Sequence, residues 1–350
     1  MAIISEQDHK KKKRKKPPYI APSELKTILH SKRANIFYLE YCRVLVNGGR
    51  VEYVTDEGRK SLYWNIPIAN TTTLLLGNGT SITQAAVREL AKAGVMVGFS
   101  GGGGTPLFAG TERTDISETI DLAWLSPQSE YRPTNYLQAW VSFWFKEEGR
   151  LAAAKSFQSM RLDRVEKSWL SREMAIAGFF LDEPAFQTAL KIARAEIDQS
   201  ETTEALLMAE ARLTKSLFKL AAQATKYGEF TRKKKGTGKD DANRFLDHGN
   251  YLAYGLGATA AWVLGLPFGF AILHGKTRRG GLVFDIADLI KDSVILPLAF
   301  ISAKDGDEEQ QFRGRCIKKL IETEALDFMI DQTKKTAEET AFAYGLGASE

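Results

Sequence analysis

The sequence predicts an α+β protein in two parts, a small β-rich N-terminal domain followed by a larger all-helical one. Short apolar runs separated by turn residues fill positions 22–108, whereas from about Leu122 apolar residues recur every three or four positions. Strands and helices do not alternate along the chain, which argues against a doubly wound parallel sheet. The expected division is a basic tail over residues 1–20, a β-rich domain with its linker over 21–121, and a helical domain over 122–350.

The tail holds seven basic residues, Lys10 to Lys16 with Arg14 among them, against Glu6 and Asp8. That difference equals the whole net charge of +5, so residues 21–350 are formally neutral and a nucleic-acid argument must rest on local patches. With almost no apolar content and Pro17-Pro18 at its end, the tail reads as a solvated extension. Val44 to Val46, the turn Asn47-Gly48-Gly49 and Val51 to Val54 predict a hairpin whose turn needs positive φ. Trp64–Ile68 and Thr71–Leu76 read as further strands. Thr80 or Ser81 would cap a helix over Ile82–Ala93, and Val95 to Val97 follow as a strand. Residues 100–120 look like a linker. Helical periodicity then marks segments near 134–170, 184–198, 204–228, 249–265 and 316–338.

Hydrophobic residues at 44% and charged residues at 26% describe an ordinary soluble globular chain of 350 residues. No apolar run is long enough to span a bilayer, and no apolar segment follows the basic N-terminus as in a secretory signal. Cys42 and Cys316 stand alone, which excludes a disulfide framework and suits a reducing, cytoplasmic setting. Two familiar motifs fail. Gly98-Phe99-Ser100-Gly101-Gly102 matches a nucleophile elbow, but Gly103, Gly104 and Pro106 cannot start the helix it needs. Gly275-Lys276-Thr277 resembles the end of a phosphate loop, but Phe270 stands where its first glycine belongs.

One constellation survives. Leu206, Leu213, Leu217, Leu220 and Ala224 form an apolar stripe, and Glu210 sits on it. A carboxylate there is costly unless it is protonated, bound to metal, or paired, for instance with an arginine from another helix. Farther on, an apolar stretch delivers His274, a loop with Lys276, Arg278 and Arg279 follows, and Asp285 and Asp288 come three apart, on one helix face. Oxygen-rich ligation with one imidazole suits Mn²⁺ or Mg²⁺ rather than structural zinc. The three basic side chains could hold neighbouring phosphates, and Arg232, Lys233, Lys234 and Lys235 form a second basic patch. Together these residues point to metal-assisted phosphodiester chemistry.

At these positions the sequence resembles the family of CRISPR-associated protein one, the spacer-inserting integrases. The resemblance lies in Glu210-Ala211-Arg212, Asn250 to Gly255, Leu273-His274-Gly275 and Phe284 to Asp288, and in Leu76 to Thr83 and Ala93-Gly94-Val95 of the front half. It covers about residues 22–340, and His274 to Gly281 looks like subtype I-F. The resemblance implies an N-terminal β domain, a helical catalytic domain and a homodimer. It further implies assembly with CRISPR-associated protein two, which in this subtype is fused to the helicase-nuclease. The implied activity is attack of a prespacer 3′-OH on the leader–repeat boundary. By residue, it implies Glu210, His274 and Asp288 as metal ligands and Asp285 as the accompanying acid. A stand-alone metal-dependent endonuclease of branched DNA or RNA, and a non-enzymatic DNA-binding scaffold, are the competing functions.

Overall fold

The computed structural model describes residues 33, 35–57, 60–100, 108–109, 119–120, 123–125, 132–233, 240–275 and 280–345. The N-terminal tail, the glycine-rich stretch 101–104, Lys234, Lys235, Lys276, Arg278 and Arg279 lie outside those residues. Seven strands come first: β1 (Asn35–Leu39), β2 (Arg43–Asn47), β3 (Arg50–Glu57), β4 (Lys60–Asn65), β5 (Thr71–Leu76), β6 (Ser81–Ile82) and, after helix α1 (Gln84–Lys92), β7 (Met96–Phe99). Short strands β8 (Phe108–Ala109), β9 (Thr119–Ile120) and β10 (Ala123–Leu125) complete the β-rich region. The helical region follows as α2 (Asn135–Trp144), α3 (Glu147–Trp169), α4 (Arg172–Ile176), α5 (Glu183–Gln199), α6 (Thr203–Ala224), α7 (Asp241–Val263), α8 (Gly281–Ile290), α9 (Leu296–Asp305), α10 (Glu309–Glu322) and α11 (Ala325–Tyr344). None of the described helices is long and apolar enough to cross a membrane.

The predicted hairpin is β2–β3, with Gly48 and Gly49 both at positive φ in its turn. The strand expected over Trp64–Ile68 is instead β4, which ends at Asn65. Pro67 cannot donate to a ladder, and Ile68–Asn70 wind into a single 3-10 turn. The cap of α1 is Thr83, whose hydroxyl accepts from the Ala86 N–H at 3.3 Å. Thr80 turns back to the Gly77 carbonyl at 2.7 Å, and Ser81-Ile82 pair with β2. The long helical segments are also more divided than their periodicity suggests. The span 134–170 breaks between α2 and α3, and that near 316–338 breaks between α10 and α11 at Glu324, whose φ is positive.

Strands β1, β5 and β7 run parallel, with β10 antiparallel at the edge, and α1 makes the crossover from β5 to β7. All six residues of β5 are buried, because both faces of this sheet are covered. Leu74 and Leu76 point into a small core with Val44, Val51, Ile66, Ala86 and Leu90. Leu75, with Ile36 and Met96 from the neighbouring strands, joins the large helical core. On that second face Thr73 and Thr259 of α7 share a hydrogen bond of 3.0 Å. The alternation of period two thus assigns one strand to two cores. The large core carries α6 and α8, which deliver the predicted carboxylates Glu210, Asp285 and Asp288.

Candidate functional site

Asp285 lies one turn into α8 and folds the loop in front of that helix. One of its oxygens accepts the N–H groups of Ile272 (2.8 Å) and Leu273 (3.2 Å), and the other accepts the His274 N–H at 3.1 Å. His274 Nδ1 stands 2.7 Å from that second oxygen. The contact needs the loop pressed against the start of α8, which Gly281 allows. A Cβ there would lie 2.8 Å from Ala271 Cβ and 3.0 Å from the His274 carbonyl. The ring is thereby oriented by a buried carboxylate, the arrangement that fixes the tautomer of ligating histidines.

Asp288 follows one turn later, its Oδ2 at 3.9 Å from His274 Nδ1. Lys291 Nζ is paired with its Oδ1. Burial would raise the Asp288 pKa, but Lys291, His274 and Arg161 outweigh it and push it down to about 2. Burial also works against a charged His274, yet the hydrogen bond its Nδ1 donates to Asp285 and the charges of Asp288, Asp285 and Glu210 raise its pKa above 6.5. A raised folded-state value stabilises the fold below the unfolded pKa, and that contribution fades as pH rises through the folded one. In metal-free protein the stability gap between the wild type and His274→Gln should therefore shrink as pH climbs from about 5.5 to about 8. Denaturant midpoints across that range check it; a gap that widens with pH would contradict the assignment.

Glu210 projects from α6, on the stripe made by Leu206, Leu213, Leu217 and Leu220, all buried. Its side chain is 15% exposed rather than sealed. The anticipated arginine partner exists: Arg161 of α3, 3% exposed, donates from Nη1 to Glu210 Oε1 at 3.0 Å. Thr214 donates to the same oxygen at 3.1 Å. Arg161 also reaches Gln158 (3.0 Å), Thr214 (2.8 Å) and, through Nε at 2.7 Å and Nη2, Asp292 Oδ2. Burial alone would lower its pKa, but Asp292, Glu210 and Asp288 hold it above the ordinary arginine value. Asp292 lies in a π turn, Lys291–Ile295, between α8 and α9. Pro297 supplies no N–H to the turn before it, so upstream carbonyls lose helical donors. Those of Asp292 and Ser293 accept instead from Trp169 Nε1 (2.8 Å) and Ser168 Oγ (2.6 Å) of α3.

Three segments distant in sequence thus bring Glu210, His274, Asp285 and Asp288 within electrostatic reach of one another. They are not gathered as a ready metal cage. No group of three or more His, Cys, Asp or Glu among the described residues is arranged to hold an ion. Arg161 is paired with one Glu210 oxygen and Lys291 with one Asp288 oxygen. Among the described residues, the four carboxylates Glu210, Asp285, Asp288 and Asp292 are accompanied by two permanent positive charges, Arg161 and Lys291.

Arg161, Lys291 and Asp292 went unnoticed in the sequence. Arg161 follows Phe157 and precedes Val165 at steps of four on the buried stripe of α3, the signal that singled out Glu210. Lys291-Asp292 likewise interrupts an apolar run from Leu289 to Ile295. Of the second basic patch, Arg232 is committed within the fold. Its guanidinium pairs with Asp247 and with Asn243 Oδ1 at 2.8 Å, holding the chain to the start of α7, and its side chain is 26% exposed. Lys233 is exposed.

The family description "CRISPR associated protein Cas1" matches residues 40–324. The CRISPR-associated endonuclease Cas1 of Pseudomonas aeruginosa (strain UCBPP-PA14) is 67% identical over 320 residues, 91% of this chain and 97% of that protein. Among solved structures, a Cas1 protein from Thermotoga maritima is similar with a TM-score of 0.66 at 16% identity, over 89% of this chain and 99% of the other. A casposase bound to integration product gives 0.63 at 15% identity, over 87% and 89%. These two likenesses concern the fold.

Proposed function

The chain belongs to the CRISPR-associated Cas1 family, and on that premise we propose that it is a metal-dependent DNA integrase of the subtype I-F kind. It joins the 3′-OH of a prespacer to the leader–repeat boundary of a CRISPR array, the adaptation stage of antiviral defence. The observation that carries this reading is the convergence of Glu210, His274 and Asp288 beside the Asp285 carboxylate, where carboxylates outnumber permanent cations among the described residues. A divalent cation fits that donor set by charge and by its oxygen-rich chemistry. Glu210, Asp288 and His274, through Nε2, would hold Mg²⁺ or Mn²⁺, which supplies Lewis-acid stabilisation of charge at the reacting phosphate.

The protein's own groups have separable duties. Asp285 orients the His274 ring and the loop before α8, and Arg161 fixes one oxygen of Glu210. Lys276, Arg278, Arg279, Arg232, Lys233, Lys234 and Lys235 are the proposed DNA contacts. The proposed assembly is a homodimer bound to prespacer and target DNA and to CRISPR-associated protein two, fused in this subtype to the helicase-nuclease. A cytoplasmic location suits the two buried thiols, Cys42 and Cys316.

The name of the Pseudomonas relative, an endonuclease, favours a second reading in which water replaces the 3′-OH. The two differ in nucleophile. Transesterification conserves the number of phosphodiester bonds, so the attacking oxygen must belong to DNA. Duplex fragments ending in 3′-OH should join a leader–repeat plasmid when the partner protein and Mn²⁺ are present, whereas 3′-dideoxy fragments should give no product. Equal target cleavage with both termini and no joined product would establish the nuclease instead.

A further inference from the structure

The two cations of the site differ in their freedom. Arg161 is sealed in the core with four partners, Glu210, Asp292, Gln158 and Thr214. Lys291 is 23% exposed, carries a flexible four-carbon stem, and rests its ammonium on Asp288 Oδ1, 5.5 Å from the centroid of the Tyr254 ring. Among the described residues, neither Asp285 nor Asp292 offers it a second berth. The Asp285 oxygens already take three backbone N–H groups and His274 Nδ1, while Asp292 is held by Arg161. Lys291 opens the π turn, so its stem leaves the helix where the backbone departs from α geometry.

A divalent ion and an ammonium cannot share Asp288 without strong repulsion at about 4 Å. We propose that Lys291 is an exchangeable counter-ion. It occupies Asp288 while the site is metal-free, and the arriving divalent cation displaces it outward, where its ammonium grips a phosphate of the bound DNA. The inference rests on the metal-dependent reading above and adds an order to it: metal loading frees the cation that then recognises the substrate backbone. The same exchange accounts for the missing metal cage, because one ligand is held in reserve by a side chain of the protein itself.

The direct test uses the full chain without substitution. Lysine acetylation followed by mass spectrometry, without DNA, should label Lys291 slowly in chelator and at least about tenfold faster in saturating Mn²⁺, with exposed Lys219 and Lys318 as unchanged references. Labelling of Lys291 that stays constant or falls with Mn²⁺ overturns the proposal. Calorimetric Mn²⁺ titration supplies the second arm. Lys291→Met should bind Mn²⁺ at least about tenfold tighter than the wild type, and metal should no longer raise its affinity for a 3′-OH duplex. Equal or weaker Mn²⁺ binding also overturns the proposal. Should Lys291→Met fail to fold, Lys291→Arg, with a fork that grips Asp288 more firmly, should bind Mn²⁺ more weakly; tighter binding would count against it. The underlying metal reading fails by a different result, namely Mn²⁺ binding by Glu210→Ala that equals the wild type.

Discussion

Replacing Glu210 with alanine is expected to abolish DNA joining, by at least about a hundredfold, while leaving a folded protein. Glu210 is the carboxylate contributed by α6, so its loss removes one anionic ligand of the proposed ion without touching His274 or Asp288. The fold should survive because Arg161 is not stranded: Asp292, Gln158 and Thr214 still accept from it. The lost charge-assisted hydrogen bond is worth about 2 kcal/mol, small against the burial of eight apolar residues along α6. Strand transfer measured beside a denaturant melt separates the outcomes. A protein that melts far below the wild type would make Glu210 a structural acid, and full activity would remove it from the chemistry.

The opposite pattern is expected one layer deeper. Arg161→Met should destabilise the protein by about 3–5 kcal/mol, the usual cost of removing one partner from a buried ion pair. Asp292 would lose its guanidinium, and Glu210 would keep only Thr214 on that oxygen. Arg161→Lys should recover only part of the loss, because one ammonium cannot reproduce the donors that Nε, Nη1 and Nη2 direct to separate partners. Chemical denaturation of the three proteins in chelator decides it. A midpoint for Arg161→Met equal to the wild type would mean that Asp292 is neutral in the fold and needs no cation.

Much of this arrangement was legible in the chain because two kinds of signal are strong. A charge on an apolar helical stripe is costly enough to demand explanation, and Glu210 met that test together with its arginine partner. Asp285 and Asp288 were legible because a spacing of three places them on one face. What escaped was non-local or exceptional. The parallel pairing of β1, β5 and β7 is set by the covering of both sheet faces, which no strand pattern reveals alone. The π turn depends on Pro297 acting together with Ser168 and Trp169, more than 120 positions away. Arg232 looked like part of a basic run, and only the packing of its segment against α7 shows its pairing with Asp247.

The divided allegiance of β5 has a consequence for how this chain can be rearranged. With Leu74 and Leu76 given to one core and Leu75 to the other, the strand is a shared wall. Recombination that exchanged the front half for a foreign one would need to match both sides of that wall, down to the hydroxyl that meets Thr259. The two halves should therefore tolerate exchange poorly, and diversity between relatives should accumulate in the outer sheet, β2, β3, β4 and β6, rather than along the seam.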